Sequence, residues 1–303
     1  MADAHASAHA GGRRRLAIAF GITAAILVAE IVGAVLTGSL ALIVDAGHMA
    51  VDAGGLLVAL LASVLVLRPA SDRRTWGFAR VEVLAATLQA AVLLAVGLFV
   101  LVEGIQRLVE PPSIPAGGLL VFGVVGLVGN VASVAVLFSG RGADFNRRAA
   151  FLEVLGDALG SVGVIAAATV IALTGWQGAD SIAAILIGVL ILPRAIRLLG
   201  ETTSVLLEST PRGLDLDDLR THLVALPYVD DVHDLHVTQI ASGLPVLTAH
   251  VTVEPRCFEE GRAPRLLDQL QACVAEHFDV SIEHSTFQLE PAAHTAHEHV
   301  PHT

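Results

Sequence analysis

The chain has no lysine, two cysteines, one tyrosine and two tryptophans in 303 residues, and only 16 % of its residues are charged. Each scarcity excludes something. The phosphate-gripping glycine loop of nucleotide-driven machines ends in lysine, so a lysine-free chain carries no motor of that design. Cys257 and Cys273 have the spacing of neither a redox pair nor a zinc ribbon, and read as free thiols in a reducing compartment. No nucleic-acid partner is expected: the net charge is -11, 17 of the 29 acidic residues lie at or beyond Glu201, and the arginines cluster beside apolar runs. No His-Glu-x-x-His stretch is present, so the zinc-peptidase class has no footing and no enzyme is expected.

What is abundant is apolar surface. Hydrophobic residues make up 54 % of the chain, and between Leu16 and Leu199 they gather into runs long enough to cross a bilayer, about 20 residues each. We read six spans near 16–37, 40–67, 82–107, 116–138, 149–173 and 180–199, broken at Gly38-Ser39, Pro69 to Arg80, Glu110 to Pro115, Ser139 to Arg148 and Gly175 to Gly178. The first run follows Arg13, Arg14 and Arg15 and is too long for a signal peptide, so it reads as a retained helix. Twelve arginines fall before span one, in the loops after spans two and four, and at the end of span six, against Arg107 alone on the other side. Short cytoplasmic loops retain positive charge during insertion, which places both termini in the cytoplasm. Three spans per half then run spans two and five in opposite directions, as in inverted-repeat transporters.

Beyond Leu207 the pattern changes to short alternating segments. Helices are expected over Asp215 to Leu226 and Ala263 to Phe278, and strands over Val232 to Ile240, Val246 to Val253 and Ser281 to Leu289. The layout expected is a tail at 1–15, a six-helix membrane domain at 16–207, a small α+β domain at 208–290 on the cytoplasmic face, and a His-containing tail at 291–303.

Ionisable groups at membrane depth cost about 2.5–3.5 kcal/mol each even on the lenient insertion scale, so they must face a partner, water or an ion. Here they come in pairs. His48 and Asp52 are four apart, as are Glu153 and Asp157, a spacing that stacks two side chains on one helix face about 6 Å apart. Two such faces opposed offer one imidazole and three carboxylates, a set suited to a four-coordinate divalent ion such as zinc. No basic side chain lies at similar depth, so a cation must supply the charge. Glu30, Asp45 and Asn130 are also intramembrane; Asn130 reads as a helix-to-helix hydrogen bonder, Glu30 and Asp45 as water-facing or protonated carboxyls, all outside the primary site.

The string Gly38-Ser-Leu-Ala-Leu-Ile-Val-Asp45-Ala-Gly-His48-Met-Ala-Val-Asp52 resembles the cation diffusion facilitators of the bacterial cobalt-zinc-cadmium resistance type. The likeness continues through Trp76 to Leu84, Phe151 to Gly163, and Thr210 to Gly213 with Val232 to Val237. It implies a metal/proton antiporter of the bacterial inner membrane, working as a homodimer in the lipid bilayer, with the metal between the second and fifth spans at His48, Asp52, Glu153 and Asp157. The soluble domain is then expected to be ferredoxin-like, of the metallochaperone type. The resemblance also marks His233, His250 and His284, one on each expected strand, as a candidate cytoplasmic zinc site. His236, three residues after His233, is expected on the opposite strand face. His5, His9, His294, His297, His299 and His302 in the tails offer weak metal capture at most.

One departure bears on the metal: close relatives of this subgroup usually carry histidine where this chain has Glu153. A carboxylate there hardens the site and favours Mn2+, Fe2+ or Co2+ relative to Zn2+, with Cd2+ also open. A membrane metal sensor that binds without transporting is the alternative in kind. Uptake into proteoliposomes, compared across zinc, cobalt, iron(II), manganese and cadmium, is expected to shift towards zinc in Glu153→His; an unchanged ranking would exclude Glu153 from the ligands.

Overall fold

The computed structural model describes residues 21–66, 70–138 and 145–294; the side chains at 52, 55–66, 134, 136–138 and 145–155 lie outside that description. The expectations for 1–15, the start of span one, Arg68, Arg141, the side chains of Arg147 and Arg148, and the histidines of the tails other than His294 therefore fall outside it as well. The described chain divides into two units, Met1–Leu60 with Ala86–Leu199, and Leu61–Ala85 with Gly200–Thr303.

Six long helices run in chain order: α1 (Gly21–Thr37), then α2 (Leu40–Val66), α3 (Arg80–Val109), α4 (Ala116–Phe138), α5 (Phe145–Thr174) and α6 (Gly178–Leu206). Lipid offers no partner to a peptide group, so apolar runs of this length close their backbone hydrogen bonds internally. Among the described residues four helices are long and apolar enough to cross a membrane, those starting at Arg80, Ala116, Gly156 and Gly178, while Gly21–Thr37 and Leu40–Val51 are shorter apolar stretches. The outward faces are as apolar as the inward ones, with Val109 and Leu173 each 80 % exposed. Such a surface has its solvent in lipid, and the chain is an integral membrane protein.

Inside the first unit, Leu40, Leu42, Val44, Val100, Leu119 and Val164 are fully buried. Glycine sets the approach of α1 and α4 at two points: a Cβ at Gly129 of α4 would collide with Ile26 of α1, and one at Gly33 of α1 with the Phe122 ring of α4. Gly38, at φ +67°, breaks α1 from α2. The N-terminus of α2 is then held from α6, where Asp180 accepts hydrogen bonds from Ser39 Oγ, from Leu40 N at 2.7 Å and from Ala41 N at 3.4 Å. Arg107 of α3, paired with Glu103 at 2.8 Å, donates to the Gly38 carbonyl at 2.8 Å. Orphan N–H groups of a first turn are thus answered by a buried carboxylate.

The second unit is α+β, as its sequence pattern suggested. Helix α7 (Leu216–Val224) is capped by Asp215, which accepts from Asp217 N and Asp218 N. Strands β1 (Val229–Ala241) and β2 (Leu244–Val253) pair antiparallel across the turn at Gly243, and β3 (His284–Pro291) joins β2 in parallel. A crossover containing α8 (Pro255–Glu259) and α9 (Ala263–Glu276) makes the parallel pairing possible. Leu219, Leu223, Leu247, Val251, Leu266, Leu270, Val274 and Ile282 form its core.

Among the departures from expectation, two boundaries and one added helix have local reasons. Helix α6 continues seven residues past Leu199, because the polar stretch from Glu201 keeps helical hydrogen bonding until Glu208 turns to φ 57°. Strand β3 begins at His284 rather than Ser281, since Ile282 donates its N–H to Val274 O and tucks under α9 instead of entering the ladder. The short α8, opened by Pro255 at its first turn, was not foreseen.

Cys257 and Cys273 are free and buried in this core, and burial pushes both thiols above the usual cysteine range. They should remain protonated and resist iodoacetamide near neutral pH while the unit is folded. Leu270→Ala, which opens a cavity costing about 2–5 kcal/mol, should speed their alkylation. Rapid labelling of the unmodified chain in native buffer would show that this core is misassigned.

Candidate metal centres

In the membrane unit, α2 and α5 bring His48 and Asp157 together, Nε2 to Oδ1 at 3.1 Å, with His48 only 7 % exposed. Two donors bound to a tetrahedral zinc at about 2.0–2.2 Å stand roughly 3.3–3.6 Å apart, so the pair needs to open by only a few tenths of an ångström to admit an ion. Asp52 lies one turn beyond His48 on α2, and Glu153 one turn before Asp157 on α5, on helical backbone whose side chains there are outside the description.

Three further polar groups surround this pair. Asp45, one turn before His48, is 2 % exposed; Glu30 of α1 is 1 % exposed; Asn130 of α4 is buried and donates to Ser161 Oγ of α5 at 3.4 Å. Asn130 does bridge two helices, as its sequence context suggested. Glu30 and Asp45 are enclosed rather than water-facing, because Glu30 packs against Gly126 of α4 and Asp45 against Gly160 of α5.

The three histidines expected to share a site in the second unit do not converge. His233 and His250 are register partners on β1 and β2, with ring centroids 5.6 Å apart. His284 stands opposite Val246, four residues along the ladder from Gln288, the partner of His250. That offset is about 13 Å along a strand. The His284 ring instead meets Trp76 edge-on at 4.9 Å. Glu290 takes the third place: its Oε1 is 3.1 Å from His233 Nε2 and its Oε2 3.7 Å from His250 Nδ1, with its side chain 2 % exposed. One donor atom from each of the three lies within 4.8 Å of the others. The signal for Glu290 was present in the alternation of β3, which puts His284, Thr286, Gln288 and Glu290 on one face, but the strand's end was not legible.

His236 corrects a second expectation. The ladder slips between His233 and His236, so that His236 faces Thr248, on the same side of β2 as His250. Asp234, at φ 47°, is the bulge that turns the strand. Its carboxylate links the two rings, Oδ1 to His236 Nε2 at 3.0 Å and Oδ2 to His250 Nε2 at 4.0 Å. His236 therefore joins the metal-competent face rather than leaving it.

Comparison with known proteins places this architecture in a class. The family model of the cation efflux transmembrane domain matches residues 16–207. The chain is 42 % identical over 293 residues to the metal cation efflux system protein CzcD of Cupriavidus metallidurans, covering 96 % of this chain and 91 % of that protein. It is 41 % identical to the zinc transporter ZitB of Escherichia coli, covering 94 % and 91 %, and 34 % identical to the cadmium, cobalt and zinc/H(+)-K(+) antiporter of Bacillus subtilis, covering 93 % and 90 %. A solved structure, the metal-bound C-terminal domain of the CzcD transporter, aligns at 34 % identity over 25 % of this chain and 99 % of that one, with a TM-score of 0.22. The chain belongs to the cation efflux family, the cation diffusion facilitators.

The C-terminal cluster can be tested apart from the membrane pair. In a chain carrying Asp157→Ala, adding Glu290→Ala should weaken residual zinc binding by at least about 10–100-fold, the loss that even outer partners of a ligand command. Adding His284→Ala instead should leave it in place. Equilibrium dialysis of the purified proteins reads both, and the reverse order would return His284 to the ligand set.

Proposed function

We propose that this chain exports a divalent transition metal, zinc foremost, from the bacterial cytoplasm across the inner membrane in exchange for protons. Metal from the cytoplasm enters between α2 and α5, is held by His48, Asp52, Glu153 and Asp157, and is released on the far side as the bundle rocks. The observation that carries this reading is the part-buried His48–Asp157 pair at 3.1 Å, an imidazole and a carboxylate at near-ligand separation between two helices of a membrane bundle. The relatives support it: one is a metal cation efflux system protein, one a zinc transporter, and one a cadmium, cobalt and zinc antiporter named for proton and potassium.

Arginine placement supports cytoplasmic termini. The residues from 16 to 207 act as the transport domain, and those from 208 to 290 form the cytoplasmic domain of a homodimer. There, His233, His250 and Glu290 bind metal and report cytoplasmic load. The carboxylate-rich transport site keeps cobalt, cadmium, iron(II) and manganese in contention as cargo. Protons flow in the opposite direction, and their uptake is coupled to release of the ion.

In proteoliposomes, zinc flux should rise with an opposing pH gradient and fall to the level of protein-free liposomes in the Asp52→Ala/Asp157→Ala double variant. Saturable binding without any flux would identify a sensor. Parent-like flux from the double variant would overturn the assigned site.

A further inference from the structure

We propose that Glu30, Asp45 and Ser161 form a second, all-oxygen cation site, one helical turn from the His48–Asp157 pair, that holds the monovalent counter-ion of transport. This inference rests on the function proposed above and assigns the counter-ion a place of its own.

The three residues come from different helices. Glu30 is on α1, Asp45 on α2 one turn before His48, and Ser161 on α5 one turn after Asp157, so the cluster lies towards the Gly38 end of α2. Glu30 and Asp45 are 1 % and 2 % exposed, and their carboxyls lie within hydrogen-bonding reach of each other. Neither oxygen of Glu30 meets a hydrogen-bond donor. A buried carboxylate without a donor is expensive unless a cation or proton occupies the gap.

Glycine makes the place. The point where a Cβ would stand on Gly126 of α4 is 2.8 Å from Glu30 Oε1 and 3.1 Å from Ser161 Oγ, so both oxygens converge on one spot that only glycine leaves open. Gly160 does the same for Asp45, whose Oδ1 is 3.1 Å from its Cβ position. Asn130 holds Ser161 Oγ in orientation from α4.

Donor chemistry selects the occupant. The cluster has no nitrogen or sulfur ligand, whereas zinc-type ions are better served by His48 one turn away. A second divalent ion there would also be repelled by the cargo. Among the described side chains, the charged groups that act on Glu30 and Asp45 are His48 and Asp157, while Asp180 is engaged at the first turn of α2 and Arg107 with Glu103 and the Gly38 carbonyl. A hard ion of single charge, proton or alkali metal, fits this set.

The test uses the full chain in proteoliposomes, with zinc flux driven separately by a pH gradient and by a potassium gradient, and zinc binding measured on the same preparations. Glu30→Gln should keep zinc affinity while losing about tenfold or more of the flux gained from whichever gradient drives the parent. Glu30→Asp should recover part of that gain, and Gly126→Ala, which fills the spot without altering charge, should mimic Glu30→Gln. The arm that responds in the parent identifies the occupant as proton or alkali ion. Parent-like gradient response in Glu30→Gln would overturn the second site while leaving the transport site standing, and so would loss of one bound zinc per chain in that variant. A parent indifferent to both gradients would overturn the proposed exchange, and the counter-ion site with it.

Discussion

Negative charge enclosed among lipid-facing helices must be answered by positive charge, and among the described residues no hydrogen-bond donor answers Glu30. Glu30, Asp45 and His48 are buried in the bundle, with Asp157 half-buried against His48, while Arg107 is engaged at the Gly38 end of α2. On the function proposed above, the cations that answer it are mobile. Such a site is costly when empty and satisfied when filled, which is the energetic condition for a carrier that must not rest unloaded.

The rest of the membrane unit serves to hold α2 and α5 at the right separation. Asp180 fixes the first turn of α2 from α6, and Arg107 fixes the carbonyl just before it. Helix α4 lies against α5 at Gly123, where a Cβ would press on Val164 and Ile165 at 3.0 Å. Close packing through small residues replaces the hydrophobic effect, which gives no net attraction between helices already in lipid. In the C-terminal unit the ordinary rule returns: an apolar core of Leu219, Leu247, Leu266 and Leu270 backs a sheet whose other face carries the histidines.

Much of this was legible because the governing patterns are local. Run length marked the helices, Gly38 and Gly175 their breaks, and polar residues at depth on the second and fifth spans pointed to His48 and Asp157, which the fold brings together. The C-terminal strands were legible from alternation. Glu290 was not, because its partnership with His233 depends on where β3 starts and on a parallel register set through α8 and α9. Nor was the facing of His236, since period-two reasoning assumes an unbroken strand and Asp234 inserts a bulge.

The sequence by itself determined that the chain crosses a membrane, that its charged residues at depth come as matched pairs, and that a small α+β segment follows. These depend on composition and on contacts within a few residues, which the order of side chains sets directly. Only the tertiary structure decided that Glu30 closes on Asp45, that Asp180 caps a helix 140 residues away, and that Glu290 rather than His284 completes the histidine cluster. Those contacts join distant segments through helix packing and strand register, and neither is encoded in any window short enough to read along the chain.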